Sequence, residues 1–139
     1  TADALGPRTA QKILVTMGPQ HTLPVKGIRP VAAIAPGVSA STGLTLRQLA
    51  SVIDHGRLFI GVDSVPMHMA AALQTPCVAL FGPSKLTFWS PWQVNGEVIW
   101  AGDYGPLPDP DAIDTKTKER YLDAIPVDAV VSAARRYLS

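Results

Sequence analysis

Two short apolar runs, Leu58-Phe59-Ile60-Gly61-Val62 and Cys77-Val78-Ala79-Leu80-Phe81, flank a helical stretch. Each run has the length and β-branched or aromatic content of a buried strand. The intervening residues are too many for a hairpin. Val65 to Leu73 carries a helical pattern, and Thr75-Pro76 breaks it. A strand, a helix and a second strand in this order require the two strands to run parallel. The polar residues Asp63-Ser64 and Gly82-Pro83-Ser84 follow the two strands directly. They therefore fall at the carboxyl edge of the sheet, where open α/β sheets hold ligands.

The rest of the chain extends this pattern. Lys12 to Thr16 reads as an earlier strand ended by Gly18-Pro19, and Val38 to Ala40 as a short one before a turn at Thr42-Gly43. The prolines at 24, 30 and 36 forbid a long helix between them. Thr45 and Gln48 form a capping-box pattern ahead of Leu46, Leu49, Ala50 and Ile53, and His55-Gly56 stops that helix. Glu97 to Trp100 is a further strand, Ala101 to Thr115 a loop, and Lys116 to Ile125 a helix. A last helix opens at Pro126 or Val127, with Val127, Val130, Val131, Ala134 and Leu138 on its apolar face. The alternation predicts an α/β domain with a Rossmann-like parallel sheet and helices on both faces.

Composition narrows the function. At 139 residues and 47% apolar content the chain is long enough for one domain with a real core. A net charge of +1 gives no electrostatic footprint for nucleic acid. The single cysteine, Cys77, lies mid-strand and reads as a small buried hydrophobe. No apolar stretch is long enough to span a bilayer. The chain opens at Thr1 and reads as a piece of a longer protein.

Asp63 has two readings: a carboxylate accepting hydrogen bonds from ligand hydroxyls, or a cap on the next helix. Ser64 is the better capping residue, with Pro66 in the first turn, where its missing N–H is not needed. The free N–H groups of Val65, Met67 and their neighbours would then form a site for phosphate oxygens. His68 lies one turn on from Ser64 and is either a phosphate donor or a half-buried structural histidine. Lys85 is within reach of an anion at that edge, but a solvated lysine is the preferred reading. Phe88, Trp89 and Trp92 form an aromatic cluster beside the Gly82-Pro83-Ser84 loop that can stack on a sugar face or anchor the loop in a core, and anchoring is the preferred reading. There is no G-x-G-x-x-G fingerprint, no Walker A sequence and no nucleophile elbow. His21 has no neighbour at metal-ligand spacing, so no metal and no cofactor are expected.

The run GVDSVPMHMAAALQTPCVALFGPS, continued by FWSPW and WAGDY, resembles the signature of the bacterial heptosyltransferases of glycosyltransferase family 9. The resemblance implies a GT-B enzyme with two Rossmann-like domains. This chain would be the C-terminal one, residues 1–139, with the N-terminal acceptor domain and the general base elsewhere. It implies an inverting transfer of heptose from ADP-heptose to the inner core of lipopolysaccharide. The setting would be cytoplasmic, with peripheral association at the inner membrane. By the same resemblance Asp63 contacts donor-sugar hydroxyls, and Ser64, Val65 and Pro66 receive the diphosphate beside His68. Leu44 packs on the adenine, and Gly18 and Pro19 form a nucleotide-binding loop. The chain alone is then expected to be inactive. It departs from the family's pattern at Gln20-His21-Thr22, where an acid is usual, at Pro24 and Pro30, which break an expected helix, and at Val65, often glycine. Two alternatives stand beside this reading: another GT-B nucleotide-sugar enzyme such as an epimerase, and a non-catalytic Rossmann-like binding module.

Overall fold

The computed structural model describes residues 13–17, 38–113 and 119–138, with backbone alone at 13–17 and 38–42. The chain divides into two compact units, Thr1–Leu49 and Ala50–Ser139.

In the first unit, strand β1 (Ile13–Met17) pairs in parallel with β2 (Val38–Thr42), Ile13 opposite Val38 and Met17 opposite Thr42. Thr42 thus extends the strand instead of opening the turn, which falls on Gly43 at φ +70°. Helix α1 (Leu46–His55) starts at the expected capping box. Thr45 N–H donates to Gln48 Oε1 at 2.9 Å, and Gln48 N–H to Thr45 Oγ1 at 3.2 Å.

The second unit is built on three parallel strands, β3 (Phe59–Val62), β4 (Cys77–Phe81) and β5 (Gly96–Trp100), in the order β3-β4-β5. Between them lie α2 (Val65–Ala72) and the four-residue α3 (Leu86–Trp89), and α4 (Val127–Leu138) closes the chain. Side-chain alternation along the strands builds two cores. Cys77, Ala79 and Phe81 join Met67 of α2 on one face, with Phe59, Leu86, Val98 and Trp100 packed around them. Val78 and Ile99 join Val130 and Ala133 of α4 on the other, with Ile60, Leu80 and Leu122 around them. Helices therefore cover both faces, and β4 is buried between them. Each such apolar side chain taken from water contributes about 1.5–3 kcal/mol.

Small residues set the close approaches. Ala70 and Ala71 are buried in α2. A Cβ at Gly96 would lie 1.9 Å from the carbonyl oxygen of Cys77, so only glycine lets β5 begin against β4. Cys77 is fully buried, and loss of solvation pushes its thiol up to about 11. That fits an inert packing residue.

Two helix expectations change. Within the described part of 116–125, Tyr121–Ala124 is a 3₁₀ turn, and no α-helix forms. Pro126 holds Ile125 extended (φ −74°, ψ 119°) and leaves room only for the i→i+3 bonds Asp123 N–H to Arg120 O and Ile125 N–H to Leu122 O. In α4 the buried residues are Val130, Val131, Ala133 and Ala134, whereas Val127 in its first turn is exposed. Arg136 clamps α4 to β5 by a bidentate pair with Glu97, at 2.7 and 2.8 Å from one nitrogen. The expectations for 1–10 and 20–36 lie outside the described residues.

Candidate functional site at the carboxyl edge of the sheet

β3 delivers Asp63 and Ser64 to the carboxyl edge because its apolar run ends at the half-exposed Val62. Ser64 takes the N-cap position of α2 with extended backbone (φ −166°, ψ 169°). Its side chain does not cap: Oγ donates back to Val62 O at 3.1 Å. With Pro66 in the first turn there is no amide at that position to receive. The Met67 N–H is not free either, since it donates to Ser64 O at 3.1 Å, as does His68 N–H at 3.3 Å. Two donors remain. Among the described residues no acceptor meets the Ser64 or Val65 N–H. Both sit at the positive end of the α2 dipole.

The Asp63 carboxylate lies beside them, its side chain 24% exposed. His68 Nε2 is 3.9 Å from Asp63 Oδ1, beyond hydrogen-bond reach. The imidazole also meets the Trp89 ring edge-on, centroids 6.4 Å apart and planes at 60°. The structure thus brings Asp63, Ser64, Val65, Pro66 and His68 together at one corner.

Asp63 also lines a hollow of about 420 Å³, together with Gly82, Pro83, Ser84, Arg120 and Tyr121. That volume is in the range of small-ligand sites. Asp63 belongs to both groups, whereas Ser64 and His68 lie outside the lining of the hollow. The loop after β4 is tied down by the Trp100 indole N–H, which donates to Gly82 O at 3.0 Å.

Lys85 does not wait for a ligand anion. It pairs with Asp111 Oδ2 at 2.7 Å, and that carboxylate raises the lysine's pKa. The aromatic cluster is not an anchor: Phe88, Trp89 and Trp92 are 74%, 54% and 75% exposed. The anchor of that segment is Leu86, packed against the Phe81 core, while the rings turn outward. Arg120, ion-paired with Asp123 at 3.2 Å, and Tyr121 border the hollow, although no sequence signal marked them. Leu44 is half-buried in the first unit, next to Gly43. Gly18 and Pro19 lie outside the described residues. Among the described residues no three His, Cys, Asp or Glu side chains group as metal ligands, and no helix is long and apolar enough to cross a membrane.

Residues 13–119 match the family model described as glycosyltransferase family 9 (heptosyltransferase). The chain is 45% identical over 104 residues to a lipopolysaccharide heptosyltransferase 3 of Escherichia coli, covering 74% of this chain and 30% of that protein. It is 39% identical over 142 residues to the protein of the same name from strain K12, covering 98% and 39%. Among solved structures, a family 9 glycosyl transferase from Veillonella parvula superposes with a TM-score of 0.78 at 28% identity, over 99% of this chain and 39% of that one. The matches thus span 30–39% of the length of these relatives.

Proposed function

The chain belongs to glycosyltransferase family 9, the heptosyltransferases, and on that premise we propose that residues 1–139 form the C-terminal, donor-binding domain of an inverting heptosyltransferase. Its donor is ADP-heptose and its acceptor a sugar of the inner core of lipopolysaccharide, bound by a part of the enzyme outside this chain. The work is done in the cytoplasm, at the inner face of the inner membrane. The observation that carries the reading is the corner itself: a carboxylate, Asp63, next to two backbone amides without acceptors among the described residues, at the start of a helix on the carboxyl edge of a parallel sheet.

Each part has a chemical task. The Ser64 and Val65 amides donate to diphosphate oxygens, and the α2 dipole favours the negative charge. Asp63 accepts hydrogen bonds from hydroxyls of the transferred sugar. His68 donates toward the same phosphate. When an acceptor hydroxyl attacks the anomeric carbon, the C–O bond to the diphosphate breaks and its electron pair leaves with ADP. The amides stabilise the charge that grows there without having to reorganise. The nucleotide contacts proposed for Gly18, Pro19 and Leu44 rest on the family resemblance alone. The base that removes the acceptor proton lies outside this chain, so the isolated chain binds nucleotide but does not catalyse transfer.

Titration of the ¹⁵N-labelled chain with ADP tests this. The largest amide shifts are expected at Ser64 and Val65. No shift there at millimolar ADP would favour a non-catalytic module instead.

A further inference from the structure

We infer that Trp89 is a sugar-stacking, specificity-determining residue of this site, its indole taking the apolar face of a sugar ring whose hydroxyls reach Asp63. The inference rests on the donor-site reading above. It begins from a mismatch between side-chain chemistry and surroundings. Trp89 is 54% exposed, whereas the Trp100 indole N–H is tied to Gly82 O. An exposed tryptophan on a fixed support offers a flat apolar face with a polar N–H at its edge.

The support is fixed. Trp89 N–H donates to Lys85 O at 3.2 Å, and Ser90 closes α3 with both its N–H and its Oγ on Leu86 O, at 3.1 and 2.6 Å. Lys85 is tethered by Asp111, and Leu86 is packed in the core. The indole is therefore presented by a held turn, at little cost in side-chain order on binding.

Its position decides the ligand class. The exposed Phe88 and Trp92 make no ring contact among the described residues. Trp89 does, with His68, which in turn stands 3.9 Å from Asp63. A π-face, an imidazole and a carboxylate in sequence suit a molecule with C–H bonds on one face and hydroxyls on its rim. That is a pyranose, of the donor or of the acceptor. A nucleobase would use the ring as well, and comparison of ADP with ADP-heptose separates the two.

The test uses the intact enzyme with ADP, ADP-heptose and the acceptor. Trp89→Ala is expected to weaken ADP-heptose binding relative to ADP, or to raise the acceptor KM, by roughly three- to tenfold with little change in kcat. The first outcome assigns the ring to the donor sugar, the second to the acceptor. Trp89→Phe should restore most of the loss, and Trp92→Ala should leave both quantities unchanged. Three results would overturn the inference: neither quantity moves in Trp89→Ala, ADP alone weakens as much as ADP-heptose, or Trp92→Ala matches Trp89→Ala. Wild-type enzyme that binds neither nucleotide would remove the donor-site reading beneath it as well.

Discussion

The two ends of α2 are finished differently. At the C-terminus the carbonyls of Met69, Ala70 and Ala71 are answered. Gln74 sits in the left-handed region (φ 59°), its N–H donates to Ala71 O at 3.1 Å and the Thr75 N–H to Ala70 O at 3.0 Å, a Schellman closure. The Gln74 side chain adds a bond to Ala71 O at 2.9 Å, and buried Thr75 ties the turn to Ile53 O at 2.9 Å. At the N-terminus the Ser64 hydroxyl turns back to Val62, and the Ser64 and Val65 amides meet no acceptor among the described residues. Stability alone would favour sealing both ends. The sealed end holds the fold, and the open end lies where the family's donor is proposed to bind.

Substitutions at the two ends should therefore separate. The largest effect belongs to Asp63→Ala, expected to lower transfer by the intact enzyme roughly ten- to hundredfold, as for a lost hydrogen bond to a charged group. Its urea midpoint should not move, because no hydrogen bond of the described fold uses that carboxylate. A large fall in stability would mean that the open end is structural after all. Thr75→Val should do the opposite, costing about 1 kcal/mol in urea unfolding with ADP affinity unchanged. The cost stays modest because Ile53 O also receives the Gly56 N–H at 3.0 Å. Smallest of all is Ser64→Ala, expected within about 0.5 kcal/mol of wild type. A loss near the ~1 kcal/mol of a true cap would show that Ser64 seals the helix in solution and would blur the contrast.

Residue patterns that describe local chemistry read through well. The capping box at Thr45 and Gln48, the strands on either side of α2 and the burial of Cys77 all follow from short-range periodicity and side-chain type. What failed depended on neighbours distant in sequence or on competing partners. Ser64 has the right chemistry for a cap, but the Val62 carbonyl is nearer at hand for its hydroxyl. Apolar spacing around Tyr121 looks helical until Pro126 fixes the residue before it. Phe88, Trp89 and Trp92 are the kind of side chains that fill cores, and sequence cannot say that Leu86 already occupies that place. Ser64 and His68 stand one helical turn apart, which the sequence shows; Trp89 joins His68 only through the fold.

The lone thiol of this chain is in the central strand, walled in by helices on both sides. An alkylating reagent outside the protein cannot reach it without first parting a helix from the sheet. The speed of that labelling then measures how often the second unit breathes open. No dye or engineered tag is needed: Cys77 serves as an intrinsic clock for the very layer on which the ligand corner is mounted.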